Sequence, residues 1–269
     1  MLEFEIIVHG LYSPEQLDIE YDPAQRMPVT TEIQAEMDHL WQQKLVQAHQ
    51  QNRRLFDTPL FRFIAANAQK DGFLHLLLGD TSYKEYVTTR TRDFAQNHAR
   101  KHLGNPLAVC SVIETSDNHI LLDKRQGVDV YIGRYHVIGG FFERELDMGT
   151  QPDPFAAMRR EIREETGIQA ADIASQYCLG VVYDLSTPHA EMCFLTRLKI
   201  PLHEVLQNRT PEEDEIQQIL SLSITSESLY EFIVTNHGNI SATGEPNLLL
   251  YGSQRFGRQW FDHTIKCIS

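Results

Sequence analysis

The stretch from Arg160 to Ile168, REIREETGI, constrains this chain more than any other. Its glutamates Glu161, Glu164 and Glu165 stand at i, i+3 and i+4, which in a helix are neighbours on one face. Like charges so placed repel by about a few tenths of a kcal/mol per pair. Gly167 is a favoured residue just past a helix end, so two of the acids fall in the last turn, where the helix dipole disfavours negative charge. Upstream, Asp153-Pro154 offers an N-cap and a proline at the first helical position, and the pattern predicts a helix from Pro154 to about Thr166. Phe155, Met158 and Ile162 make a narrow apolar stripe that can dock on a sheet, with Ala157 and the three glutamates on another side. A hard divalent cation takes oxygen ligands, and clustered carboxylates supply them while the bound charge cancels their repulsion. Arg160 can pair with Glu164 at i+4. A solvated acidic face is the alternative, and it leaves the clustering and its place in the helix unexplained.

Around this helix the chain reads as α/β. FEIIV (Phe4–Val8) is a buried strand, and residues 31–51 form a helix with Ile33, Met37, Leu40, Trp41, Leu45 and Ala48 on one face and a capping box of Thr31 and Gln34. LFRFIAA and FLHLLLG, with the turn residues KDG between them, form a hairpin, and TSYKEYV and RDFAQNHARKHLG are helical. The turn GNP at 104–106 marks a boundary between an N-terminal α/β domain, 1–104, and a second domain, 105–269. Beyond it come a hairpin (PLAVCSVIET, HILLDKR), the short strand YHVIGG, the acidic helix, and the strands YCLGVVYDL and AEMCFLTRLKI. PEEDEIQQIL and SESLYEFIVTN read as helices, and NLLLYGSQRFGRQWF is ambiguous between helix and irregular structure.

A formal net charge of −13 argues against nonspecific nucleic-acid binding and against an anionic membrane surface. No apolar stretch has membrane-spanning length, MLEFEIIVHG is a poor signal peptide, and the four scattered cysteines read as reduced thiols, which together place the protein in the cytoplasm.

REIREETGI matches every specified position in the core of the Nudix box, REUxEExGU with U aliphatic, and the chain thereby resembles the Nudix hydrolases. The resemblance implies an α/β/α sandwich with a mixed sheet, which cleaves a nucleoside diphosphate linked to another moiety. It also implies magnesium or manganese held by Glu161, Glu164 and Glu165, with the carbonyl of Gly139 as a further ligand. Upstream of the core the match loosens. Pro152 and Leu146 stand where the family has a glutamate and a glycine. Gly139-Gly140 instead suggest the loop start, followed by an insertion of about six residues, with Glu143 or Glu145 as replacement for the missing glutamate. LFDTPLFRF, LGDTSYKEYV, NPLAVCSVIETSD and GRYHVIGGFFE occur in the order seen in the UDP-glucose diphosphatases of animals and their plant relatives, which also carry an extra N-terminal domain. That branch implies cleavage of UDP-glucose or UDP-galactose to UMP and a sugar 1-phosphate. The animal enzymes have a degenerate box, whereas this chain keeps the full core. ADP-ribose, another nucleotide sugar and coenzyme A are the alternative substrates, and a non-catalytic nucleotide sensor is the alternative outside catalysis.

A base must take a proton from the attacking water. Glu165 is one candidate, and Glu213 and Glu215 in PEEDE are others, where a helix N-terminus rich in acids is the plain alternative. Glu191, on the strand AEMCFL, is a further site acid by family position. Lys124 and Arg125, ending HILLDKR, can meet the substrate phosphates, as can the basic run Arg90–His102. Tyr83, Tyr86 and Tyr183 can stack a uracil or pack a sugar. His98 and His102 have a zinc-compatible spacing but no third ligand nearby in sequence.

Overall fold

The computed structural model describes residues 2–52, 54–125, 130–207 and 216–269, with side chains described from 219 onward in the last stretch. The chain opens with β1 (Phe4–Tyr12) and β2 (Leu17–Tyr21), then α1 (Thr31–Gln50), the hairpin β3 (Pro59–Ala68) and β4 (Leu74–Ser82), α2 (Tyr83–Thr89) and α3 (Arg92–Asn97). There follow β5 (Leu107–Glu114), β6 (His119–Arg125), β7 (Tyr135–His136), β8 (Ile138–Phe141), α4 (Arg144–Asp147) and α5 (Pro154–Thr166). The remainder is β9 (Ile173–Asp184), β10 (His189–Leu198), α6 (Leu202–Gln207), β11 (Ile216–Ser223), α7 (Ser226–Asn236), α8 (Gly244–Phe256) and α9 (Arg258–Ile268).

The larger, mixed sheet runs β1-β9-β10-β5-β6-β11, with β8 pairing to β5 and β7 to β6. Its central pair, β5 and β10, is parallel, while the other pairings within it are antiparallel. The residues of β5 are buried throughout, as a strand covered on both faces requires. Alternation then sorts them: Leu107, Val109 and Ile113 face one core, and Cys110 and Val112 the other. The first core is closed by Phe155, Met158 and Ile162 of α5, the second by Leu229 and Ile233 of α7, Leu248 and Leu249 of α8 and Phe261 of α9. Helix, sheet and helix layers result, as expected for the α/β/α arrangement.

A second sheet, β2-β4-β3, stands apart in hydrogen bonding but not in packing, because Phe61, Leu74, Leu76 and Leu78 share the first core with Leu107 and Ile138. β1, from the first residues of the chain, is the edge strand of the larger sheet through its pairing with β9. Three local expectations change. Thr30, not Thr31, caps α1, its side chain accepting from the Ile33 amide. The described part of PEEDEIQQIL is not helix, because Ile216–Ser223 pairs with β6 as β11. The ambiguous C-terminal stretch is two helices, α8 and α9, broken at Gly257, whose φ of 91° suits glycine. Among the described residues no helix is long and apolar enough to cross a membrane.

Candidate active site

Helix α5 has the predicted ends. The Asp153 carboxylate accepts from the Ala156 amide at 2.9 Å, and Gly167, at φ 75°, closes the helix in the left-handed conformation. Docking of Phe155, Met158 and Ile162 on the sheet carries the acidic side of the helix to the edge of β8. There Glu161 packs so closely on Gly140 that a β-carbon at that position would overlap its carboxylate. Glu161 and Glu165 are each 8% exposed. Burial raises the Glu161 pKa to about 8, Arg160 opposing and Glu164 and Glu143 reinforcing the shift.

Arg160 is the organiser of the cluster. Its Nη1 donates to Glu161 at 2.8 Å and to Glu164 at 3.0 Å, and its Nη2 to the Phe141 carbonyl at 3.1 Å. A partner that the sequence reading missed completes the set. Asp147, at the end of α4 in the insertion and 5% exposed, accepts from Arg160 Nε at 3.1 Å and Nη2 at 2.9 Å. The same carboxylate accepts from the Glu143 amide at 2.8 Å. Burial alone would lower the Arg160 pKa, and Asp147, Glu161 and Glu164 outweigh it, so the guanidinium is held charged. The insertion is also tied backward: Arg144 donates to the Leu60 carbonyl and pairs with Asp80 at 2.9 Å.

The glutamate cluster borders a cleft of about 730 Å³, within the size range of small-molecule sites. Gly139, Gly140, Glu143, Arg160, Glu161, Glu164, Arg125 and Glu191 all border it, which brings most of the expected site residues together. Others lie elsewhere. Lys124 is exposed and borders a different face, its ammonium 5.8 Å from the Tyr135 ring, because neighbours on a strand point to opposite sides. Tyr183 is 2% exposed, donates to Asn105 at 2.5 Å and lies under the Arg100 guanidinium, away from the cleft. Tyr86, also 2% exposed, borders the cleft but is packed among Tyr83, Phe141 and His189. Glu165 is buried and does not border the cleft. Of the basic run Arg90–His102, Arg90 reaches the cleft. His98 stacks on Phe94. Glu213 and Glu215 lie outside the described residues.

The cleft floor holds a polar group absent from the sequence reading. His189 is directed at acceptors from both ring nitrogens, Nδ1 donating to the Thr187 carbonyl at 2.5 Å and Nε2 standing 3.6 Å from Glu191. Burial disfavours its charge, yet Tyr86 and the carboxylates of Glu191 and Asp184 outweigh that and raise its pKa to about 10. Burial likewise works against Glu191, and His189 and His136 bring its pKa down to about 2. The i, i+2 spacing of His189 and Glu191 on one strand was the available signal, since it puts both on one face. His136 shares a hydrogen bond with Ser241 at 2.6 Å, and burial, with Arg125 adding to it, lowers its pKa to about 3.

The donor chemistry at the glutamate end fits a hard divalent cation. Its donors are oxygens, and a buried carboxylate beside two others resists ionising until positive charge compensates it. Arg160 supplies that charge to Glu161 and Glu164, and among the described residues no three His, Cys, Asp or Glu side chains converge as a ready-made metal cage.

The family model of the NUDIX domain matches residues 104–233, just under half of the chain. A search of the curated proteins returns no match. Among solved structures, a NUDIX hydrolase from Nitrosomonas europaea is 16% identical, with 56% of this chain and 90% of that chain covered and a TM-score of 0.41. A mutT/nudix family protein from Listeria innocua is 20% identical over 56% of this chain and 93% of that one, with a TM-score of 0.39. A bifunctional NMN adenylyltransferase/ADP ribose pyrophosphatase from Francisella tularensis, complexed with AMP and a manganese ion, is 16% identical over 57% of this chain, with a TM-score of 0.39. The chain spans 42% of that protein's length. Residues 104–233 thus match the NUDIX domain, and the comparisons show this similarity for that part of the chain.

Proposed function

We propose that the protein hydrolyses the diphosphate bond of a nucleotide sugar, UDP-glucose or UDP-galactose, to UMP and a sugar 1-phosphate. The observation that carries the reading is that Arg160, Glu161 and Glu164 of REIREETGI border one cleft together with residues preceding the NUDIX domain, Tyr83 and Arg90 among them. The order of blocks shared with UDP-glucose diphosphatases supports the choice of sugar nucleotide. Glu161, Glu164, Glu165 and the Gly139 carbonyl are assigned as ligands of magnesium or manganese. Such an ion, when bound, neutralises the diphosphate oxygens and activates water.

The chain's own residues do the rest. Arg160 holds Glu161 and Glu164 in place through the contacts described, with Asp147 behind it. Arg125 meets a substrate phosphate oxygen, which its fork of N–H donors suits. Glu143 and Glu191 accept from the substrate hydroxyls or from water. Glu165, Glu213 and Glu215 remain the candidates for the base.

The test is to incubate the protein and its Glu164→Gln variant with UDP-glucose, ADP-ribose and coenzyme A in magnesium and resolve the products. Magnesium-dependent UMP and glucose 1-phosphate, lost in the variant, are expected. Turnover of a different compound retains the hydrolase and overturns the substrate. Nucleotide binding without turnover overturns catalysis in favour of a sensor.

A further inference from the structure

We infer that the segment 54–58 and helix α2, which lie outside the NUDIX domain, form the subsite for the nucleobase, with Phe56 and Tyr83 as its stacking faces. The inference rests on the nucleotide-hydrolase reading of the cleft and adds to it the part of the chain that reads the substrate's planar end.

Phe56 borders the cleft yet is 67% exposed, which leaves a large aromatic face in water on a concave surface. Leu55 and Tyr83 border the cleft beside it. Tyr83 is fixed edge-on by three rings, with centroids 6.4 Å from Trp41, 6.4 Å from Tyr86 and 5.9 Å from Phe141. Behind it, the Arg90 guanidinium lies 4.6 Å from the centroid of Tyr86. The platform is held against the catalytic floor. Tyr86 Oη stands 3.4 Å from His189 Nδ1, and the Arg144–Asp80 pair ties the insertion to β4. Ordering such faces before the ligand arrives lowers the entropic cost of binding.

The cleft lining is therefore of two chemical kinds. Glu143, Glu161 and Glu164 are carboxylates, suited to a metal-bound diphosphate. Phe56 and Tyr83 are aromatic, and every nucleobase offers a π-face to them. A nucleoside diphosphate carries the same two kinds of group. A sugar can also pack on an aromatic ring, so the two ends of the substrate must be distinguished by experiment.

Full-length Phe56→Trp protein, titrated with UMP, AMP and glucose 1-phosphate in the absence of metal, reports on this aromatic lining by fluorescence. UMP or AMP is expected to change the emission relative to the parent protein, and glucose 1-phosphate is not. Phe56→Ala is expected to raise KM for the hydrolysed nucleotide about tenfold or more, with kcat within about twofold and thermal stability unchanged, since stacking is made equally in ground and transition states. A response to glucose 1-phosphate alone would put the sugar here and overturn the assignment. No response to any of the three, with KM unchanged in Phe56→Ala, would overturn the subsite itself. If no nucleotide sugar is hydrolysed, the functional reading fails, and the titration with UMP and AMP still decides the subsite.

Discussion

Replacing Asp147 by alanine tests whether the insertion after β8 is part of the catalytic apparatus or a surface loop. Asp147 is 5% exposed and accepts two bonds from Arg160, at 3.1 and 2.9 Å, and one from the Glu143 amide at 2.8 Å. Breaking one side of a buried ion pair costs about 3–5 kcal/mol, because the remaining charge stays in a poorly solvated place. Arg160 keeps Glu161, Glu164 and the Phe141 carbonyl, so the lower end, about 3 kcal/mol, is expected. With an m-value of roughly 2–3 kcal/mol/M, that is a fall of about 1 M in the urea midpoint. Asp147→Asn keeps acceptor oxygen but loses the charge, and its expected loss is about half as large. The functional signature is separate from the stability one: with Asp147 gone, Arg160 shifts onto the glutamates and competes with the cation. The magnesium concentration needed for half-maximal hydrolysis is therefore expected to rise in Asp147→Ala. Circular dichroism, urea titration and a magnesium titration of activity measure all three quantities. An Asp147→Ala protein with the parental midpoint and the parental magnesium dependence would refute the clamp.

Gly140→Ala is expected to leave the fold intact while displacing the Glu161 carboxylate, because the new β-carbon meets the movable end of that side chain rather than backbone. A loss of magnesium-dependent turnover with an unchanged melting temperature is the expected result. At the floor, His189 has its pKa raised from 6.5 to about 10, so its contribution to stability is complete below pH 6.5 and is lost as the pH rises through 10. The urea midpoint of the parent protein should accordingly drop between neutral pH and above pH 10, by up to a few kcal/mol in stability. His189→Gln should show a smaller alkaline drop, and equal drops in the two proteins would contradict the pairing with Glu191.

The acidic helix was legible residue by residue. Asp153-Pro154, the Phe155–Met158–Ile162 stripe and Gly167 are local signals, and each acts within a turn or two of its own position. The same holds for the β3–β4 hairpin and for the uniformly apolar β5, whose composition reports burial on two faces. That Glu161 and Glu164 stand together was legible for a similar reason, since their spacing along one helix is itself their geometry.

What escaped the reading depends on residues distant in the chain. Ile216–Ser223 follows an acidic run that suits a helix start, and it becomes a strand because the open edge of β6 is there to pair with it. β1 joins the larger sheet because β9, more than 160 residues later, presents an edge. Lys124 and Arg125 are adjacent in sequence, and only the pleat of β6 sends one to the cleft and the other to Tyr135. Tyr183 carries the same ring as Tyr83 and Tyr86, and packing alone puts the first in the core and the other two at the cleft. Asp147 meets Arg160 only because a short helix folds back over α5. The clustering of the glutamates was thus written in one helical period, whereas the shape of the cleft, the clamp at Asp147 and the aromatic part of the lining arose from contacts between segments that no local pattern links.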